Sequence, residues 1–323
     1  MERRTLLGAG LGAVGWWTAG AMPAGAMPAG GRLRERDLAV ARGLFSAGEY
    51  GRLRQALPAL GARARETQET GPVGAGRAAQ VWVLASQLAV KDAALEEAGA
   101  FAARAAAAAA RSGDPVLLAA AARAAATPLR RTGRADQALQ LLAQAHDQLD
   151  AVRRPGLAVL DVSGMVALSA AYTAAQARMP SAAREFADRA EQSTARLTHT
   201  LAGARVPAGE LSPAQCVLYR VGIHRELGDV DKALAYAVRL DPAVLSTPER
   251  RARAATDTAR ALLAAGDVPA AFDQLQRVER AAPQEARRPS VRALIADVAA
   301  RRPDLPGVRA FTRRTAPPLR PTT

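Results

Sequence analysis

Six times along the chain, an Ala/Leu-rich helical stretch breaks at a short turn and a second such stretch follows. The turns read SAGEY at 46–50, RTGRADQA at 131–138, ARMPSAA at 177–183, LGDVDKA at 227–233 and AGDVPAA at 265–271, with a blurred version, VKDAALEEA, at 90–98. Self-similarity on a scale of a few tens of residues marks units that cannot bury their apolar faces alone and stack on copies of themselves. The fold class this predicts is all-α, a helical-hairpin solenoid of about six helix pairs. Arrays of this kind hold a guest along a concave surface.

Composition supports helices over sheets. Hydrophobic residues make up 49% of the 323, yet aromatics only 4%. Ala, Leu and Val pack helices closely and leave little to fill a sheet. The formal charge is +14, and of 44 basic residues only Lys91 and Lys232 are lysines. This charge is spread over mixed-sign surfaces, except at 301–323, where six Arg face Asp304 alone. Spread charge reads as solvated helix surface, not as a dedicated nucleic-acid face. A single cysteine, Cys216, excludes an internal disulfide.

Residues 1–31 stand apart from the rest. Arg3-Arg4 is followed by a mildly apolar Gly/Ala stretch and then small residues at Ala19-Gly20-Ala21 or Ala24-Gly25-Ala26, which fits a twin-arginine export signal. The same residues read equally as a flexible Gly/Ala/Pro linker. Gly10, Gly12 and Gly15 fit the GxGxxG pattern, but a dinucleotide site needs a strand before it and a helix after it. Here Trp16-Trp17 runs into a duplicated AMPAG, and no strand-rich run follows. No stretch is expected to be apolar and Gly-free for long enough to span a bilayer. The expected division is a flexible linker or signal-like segment at 1–31, helical repeats at 32–311 and a disordered basic, Pro-containing tail at 312–323.

The turn at 228 shows how a unit is built. Gly228 ends one helix where a left-handed residue is needed, and Asp229 caps the next. Ala233 lets the two helices approach closely. Leu234 and Val238 continue the second helix, and Asp241-Pro242 ends it. Gly266, Ala271, Leu275, Val278 and Pro283 repeat these steps, as do Gly133, Ala138, Leu142 and Ala145. Such residues resemble tetratricopeptide repeats, with Gly at the turn, a small residue five places on and a closing Pro. Arg178 takes the Gly place in the fourth turn. The spacings between 133, 178, 228 and 266 are 45, 50 and 38 residues, against the family's roughly thirty-four. Longer helices or irregular links are therefore expected.

A second resemblance covers most of the chain. RSGDP (111–115), LSAAYTAAQA (168–177), VLYRVGIHRELGD (217–229), STPERRARAATDTARA (246–261) and APQEARRPSVRALIADV (282–298) resemble the C-terminal half of actinobacterial transcriptional regulators. Those regulators carry an Xre-type helix-turn-helix domain in front, and ERRTLLGAG at 2–10 is similar to the linker that follows it. The resemblance implies a sensor module in the cytoplasm. DNA contact would come only through a helix-turn-helix domain that is absent here.

Catalytic motifs are sparse. His146, His199 and His224 form no HExxH, and Ser163-Gly164 lacks the first Gly of a nucleophile elbow. Cys216 and His224 fall about 80° apart around a helix. Adjacent Glu96 and Glu97 diverge. The expectation is a protein without catalytic, metal or cofactor sites.

In tetratricopeptide proteins the first helix of each hairpin lines the concave face. Counting back from the turns, those places hold Arg123, Thr127, Arg130 and Arg131, then Tyr172 and Gln176, then Tyr219 and Arg225, then Arg253, Asp257 and Arg260. The last three form an Arg–Asp–Arg stripe on one helix face. Guanidinium groups beside two Tyr suit carboxylates or phosphates with some flat apolar surface. The partner expected is a peptide, a protein or a small acidic ligand. The competing reading of the same residues is intrahelical ion pairs around a Tyr-filled core between repeats. For the whole chain, the alternative to a regulatory binding module is a helical-repeat scaffold exported by the twin-arginine route.

Overall fold

The computed structural model describes residues 31–201 and 209–316, and they are helical with no strand among them. The twin-arginine and linker readings of the N-terminal segment lie outside the described residues. Long helices follow in pairs: α1 (Glu35–Ser46) with α2 (Tyr50–Thr67), α3 (Pro72–Lys91) with α4 (Leu95–Ser112), and α5 (Pro115–Arg131) with α6 (Ala135–Asp150). They continue with α7 (Leu157–Gln176) and α8 (Pro180–Leu201), α9 (Pro213–Glu226) and α10 (Val230–Arg239), and α11 (Pro248–Ala265) and α12 (Val268–Ala281). Three shorter helices close the chain: α13 (Pro283–Ala286), α14 (Pro289–Arg301) and α15 (Val308–Thr315). The two members of each pair pack on one another.

One device makes all six turns between partners. Gly48, Ala93, Gly133, Arg178, Gly228 and Gly266 have φ between +59° and +85°. At each, the residue's own N–H donates to the carbonyl three back, and the next N–H donates to the carbonyl five before it. In the fifth turn these are Gly228 to Arg225 at 3.0 Å and Asp229 to His224 at 2.9 Å. This Schellman closure satisfies carbonyls that a helix end would otherwise strand. Five residues after each left-handed residue stand Leu53, Ala98, Ala138, Ala183, Ala233 and Ala271, all 0% exposed. Five of the six are Ala, so the partner helix can approach closely at that level. Helix starts are equally explicit. Asp114, Ser212, Asp229, Thr247 and Asp267 each accept a first-turn backbone N–H, worth about 1 kcal/mol apiece.

By length and composition α7 is apolar enough to cross a membrane, with mean hydropathy 1.5. It is a core helix all the same. Two-thirds of it is buried inside the protein, and α5, α6, α8 and α9 all pack on it. α15 runs on to Thr315, which is 2% exposed. Residues 317–323 lie outside the described residues.

The first pair returns to meet the last. α1 packs on α11, and the Gly51 N–H donates to Gln284 Oε1 at 2.8 Å. Gly48 sits so close to Ala282 that a Cβ on it would lie 2.9 Å from the Ala282 methyl. The Tyr50 hydroxyl donates to Glu285. Lys91 forms ion pairs with Glu249 and, at 2.6 Å, with Glu285. Burial alone would raise the Glu285 carboxyl, but Lys91 and Arg288 outweigh it and hold it down at about 2. The first and last pairs are therefore in contact.

Candidate ligand-binding cavity

Inside this closure lies a cavity of about 540 Å³, within the roughly 300–1,000 Å³ usual for small-molecule sites. Its wall is built from the first helix of every pair: α1, α3, α5, α7, α9 and α11. All ten residues selected from the sequence line it, namely Arg123, Thr127, Arg130, Tyr172, Gln176, Tyr219, Arg225, Arg253, Asp257 and Arg260, together with Arg131.

The two tyrosines stand edge to face, ring centroids 6.5 Å apart, with Arg130 over Tyr172 at 5.1 Å and Arg253 over Tyr219 at 4.3 Å. Gly222 of α9 makes room for this, since a Cβ there would meet the Tyr172 ring at 2.8 Å. Their surroundings drive the two phenols in opposite directions. Burial, with Asp257 and Glu226 nearby, pushes Tyr172 up to about 12, and its hydroxyl donates to Glu226 at 2.7 Å. Burial would raise Tyr219 as well, but Arg253 and Arg123 prevail and bring it down to about 8. The Tyr219 oxygen accepts from Arg253 Nη1 at 3.2 Å. One end of the cavity therefore strongly favours negative charge.

The Arg–Asp–Arg stripe is an intrahelical ion-pair set, as the competing reading required. Asp257 is 4% exposed and pairs with Arg260 at 2.8 Å and Arg253 at 3.6 Å. The same three side chains nevertheless face the cavity. Glu210 is shared in the same way by Arg123 at 3.0 Å and Arg250 at 3.4 Å, and Arg123 with burial opposing it holds that carboxyl down. Arg225 pairs with Glu226. Arg130 and Arg131 differ: among the described residues neither has a carboxylate partner. Arg130 Nη1 reaches Thr173 Oγ1, and Arg131 Nη1 reaches the Val90 carbonyl, each at 3.4 Å.

Several lining residues escaped sequence reasoning. The offsets that located the groove from the later turns, applied to Gly48 and Ala93, lead to Arg42, Phe45 and Ser46 and to Leu84, Gln87, Val90 and Lys91, all of which line the cavity. Glu210, Gln215, Glu249, Arg250 and Arg288 lie at or beyond helix ends, where no periodic signal reaches.

Outside the cavity, His146 Nδ1 lies 3.2 Å from Ser163 Oγ and its Nε2 lies 3.3 Å from Asp150. This Ser–His–Asp contact joins α6 to α7 in the core. Ser163 is 4% exposed and His146 2%, burial lowers the imidazole's proton affinity, and neither residue lines the cavity. It is a packing contact between helices. Among the described residues no group of His, Cys, Asp and Glu could hold a metal ion.

No protein-family model matches the chain, and no curated protein does. Among solved structures it is similar to the crystal structure of BtubC (BKLC) from P. vanneervenii, with 20% identity and a TM-score of 0.46 over 76% of this chain and 90% of that one. At that level the likeness carries no argument about the site.

Proposed function

We propose that the chain is a non-enzymatic binding module that holds a small organic anion in its central cavity. In this reading the six helix pairs are repeats of one unit, a tetratricopeptide-like solenoid bent until its ends meet. The sequence resemblance then assigns it the role of a regulator's sensor half, with occupancy of the cavity as the signal. A cavity of about 540 Å³ is of the size that holds a small molecule.

The observation that carries the proposal is the pair Arg130 and Arg131, two guanidinium groups that line the cavity and, among the described residues, have no carboxylate partner. Arg130 is half-buried and Arg131 exposed, and their like charges repel one another, which a bound counter-charge relieves. Every first helix lines the site, so a bound anion touches several units and favours the closed array over the unfolded chain.

Calorimetric titration with small carboxylates, sulfates and phosphates, each against a neutral analogue, tests this. The anions should bind and weaken with added salt, as screening requires, and should raise the melting temperature by mass action. Equal binding of the neutral analogues, or no binding of any anion, would overturn the proposal.

A further inference from the structure

The cavity's charge balance can be followed residue by residue. Its ten cationic side chains are Arg42, Lys91, Arg123, Arg130, Arg131, Arg225, Arg250, Arg253, Arg260 and Arg288. Six carboxylates pair with them: Glu35, Glu210, Glu226, Glu249, Asp257 and Glu285. Four positive charges remain in excess. Two of these are spread over shared pairs, Arg123 with Arg250 on Glu210 and Arg253 with Arg260 on Asp257. The other two sit whole on Arg130 and Arg131. In addition, Arg225 and Arg288 each keep a buried Nε–H without an acceptor.

Arg130 and Arg131 occupy the last turn of α5. A helix C-terminus presents roughly half a negative charge, so it offsets only a part of the two guanidinium charges and leaves about +1.5. A phosphomonoester carries about −1.5 to −2 at neutral pH and offers three acceptor oxygens. A single carboxylate brings less charge and a flat pair of acceptors. Donors here come from several walls of the cavity, Arg130 and Arg131 on α5, Arg260 on α11 and Arg288 ahead of α14. A tetrahedral head meets that arrangement better than a planar one.

We infer that the ligand is an organic phosphomonoester whose dianionic head sits between Arg130 and Arg131, with Arg260 and Arg288 as further donors, and whose flat organic part lies against Tyr172 and Tyr219. This rests on the reading of the cavity as a small-anion site. Mutual repulsion supports the seat: burial, then the charges of Arg288, Arg130 and Arg260, push the Arg131 guanidinium down to about 10, a strain that a dianion relieves. The neighbouring surfaces suit the organic part, with Tyr172 under Arg130 and Tyr219 edge-on beyond it.

The experiment is calorimetric titration of the full chain with three probes that share a ring: phenyl phosphate, phenyl sulfate and phthalate. The first is a dianion with a tetrahedral head, the second its singly charged isostere, the third a planar-headed dianion. At about pH 7.5, phenyl phosphate should bind at least about tenfold more tightly than either of the others. Lowering the pH to about 5, below the phosphoryl group's second pKa near 6, should erase most of its advantage over phenyl sulfate. Arg130→Gln with Arg131→Gln should cost phenyl phosphate about tenfold or more while helix content by circular dichroism stays unchanged. If that variant does not fold, the ranking of probes on the wild-type chain decides. Phthalate or phenyl sulfate matching phenyl phosphate overturns the phosphoryl assignment and leaves the small-anion reading standing. Failure of all three to bind removes both. Retention of phenyl phosphate affinity in the folded double variant overturns the seat.

Discussion

Replacing Ala93 and Arg178 by glycine should make this protein more stable, although glycine normally weakens a helical protein. Both residues sit in the left-handed region, at φ 62° and 59°, where the other four turns have glycine. An L-residue there costs about 1–2 kcal/mol because Cβ crowds the following carbonyl. Substituting glycine gives back about 0.4–1 kcal/mol through the freer unfolded chain. Both side chains are exposed, so no packing is lost, and the turn hydrogen bonds are made by backbone that the substitution leaves in place. The net gain is about 0.5 kcal/mol per site, or about 1 kcal/mol for Ala93→Gly with Arg178→Gly, which raises the melting temperature by about 2 °C in a chain of this size. Urea unfolding followed by circular dichroism gives the free energy directly. Gly266→Ala is the mirror control: a Cβ there meets nothing within 4 Å and φ is +85°, so backbone strain less the entropy gained should cost about 0.5 kcal/mol. A loss of about 0.5–1 kcal/mol in Ala93→Gly is what an ordinary helical position would show. That result would refute the equivalence of the six turns.

Three further outcomes follow from the cavity and the closure. Arg253→Ala with Arg260→Ala strips both cations from buried Asp257 and should lower stability by about 2–3 kcal/mol. Adding Asp257→Asn should restore most of that in urea unfolding; a silent double variant contradicts the assignment. Glu285 is held at about 2 against an ordinary 4.5, so its contribution, on the order of 3 kcal/mol, is complete above about pH 5 and is lost as pH falls through 4.5 toward 2. Glu285→Gln should therefore flatten that stretch of the acid-unfolding profile, and an unchanged profile would count against the buried ion pair. Tyr219 should ionise near pH 8, visible as one tyrosinate step in ultraviolet absorbance that is missing in Tyr219→Phe. A bound phosphomonoester should shift that step upward by offsetting Arg130, one of the charges that hold it down, and a step that ignores the bound anion would count against its seat beside Arg130.

The pairwise architecture is written locally and can be read from residues alone. A positive φ at 133, 228 or 266 calls for glycine, and close helix approach calls for Ala five places later. Helical periodicity then fixes which side chains of a first helix share a face, which is how ten cavity residues could be picked out by counting. Ala93 and Arg178 blurred two of the turns because backbone hydrogen bonds hold them in a conformation their side chains do not advertise. What only the tertiary structure decided is the closure. Tyr50 meets Glu285 across 235 positions of chain, and that meeting depends on small rotations summed over every intervening pair, a quantity no local pattern encodes. The same summation gathered the six first helices around one cavity, drew Arg288 into it from beyond the last pair, and settled which arginines share a carboxylate and which, among the described residues, have none. Local sterics set each turn, whereas the charge balance at the centre emerges only when all the turns are added together.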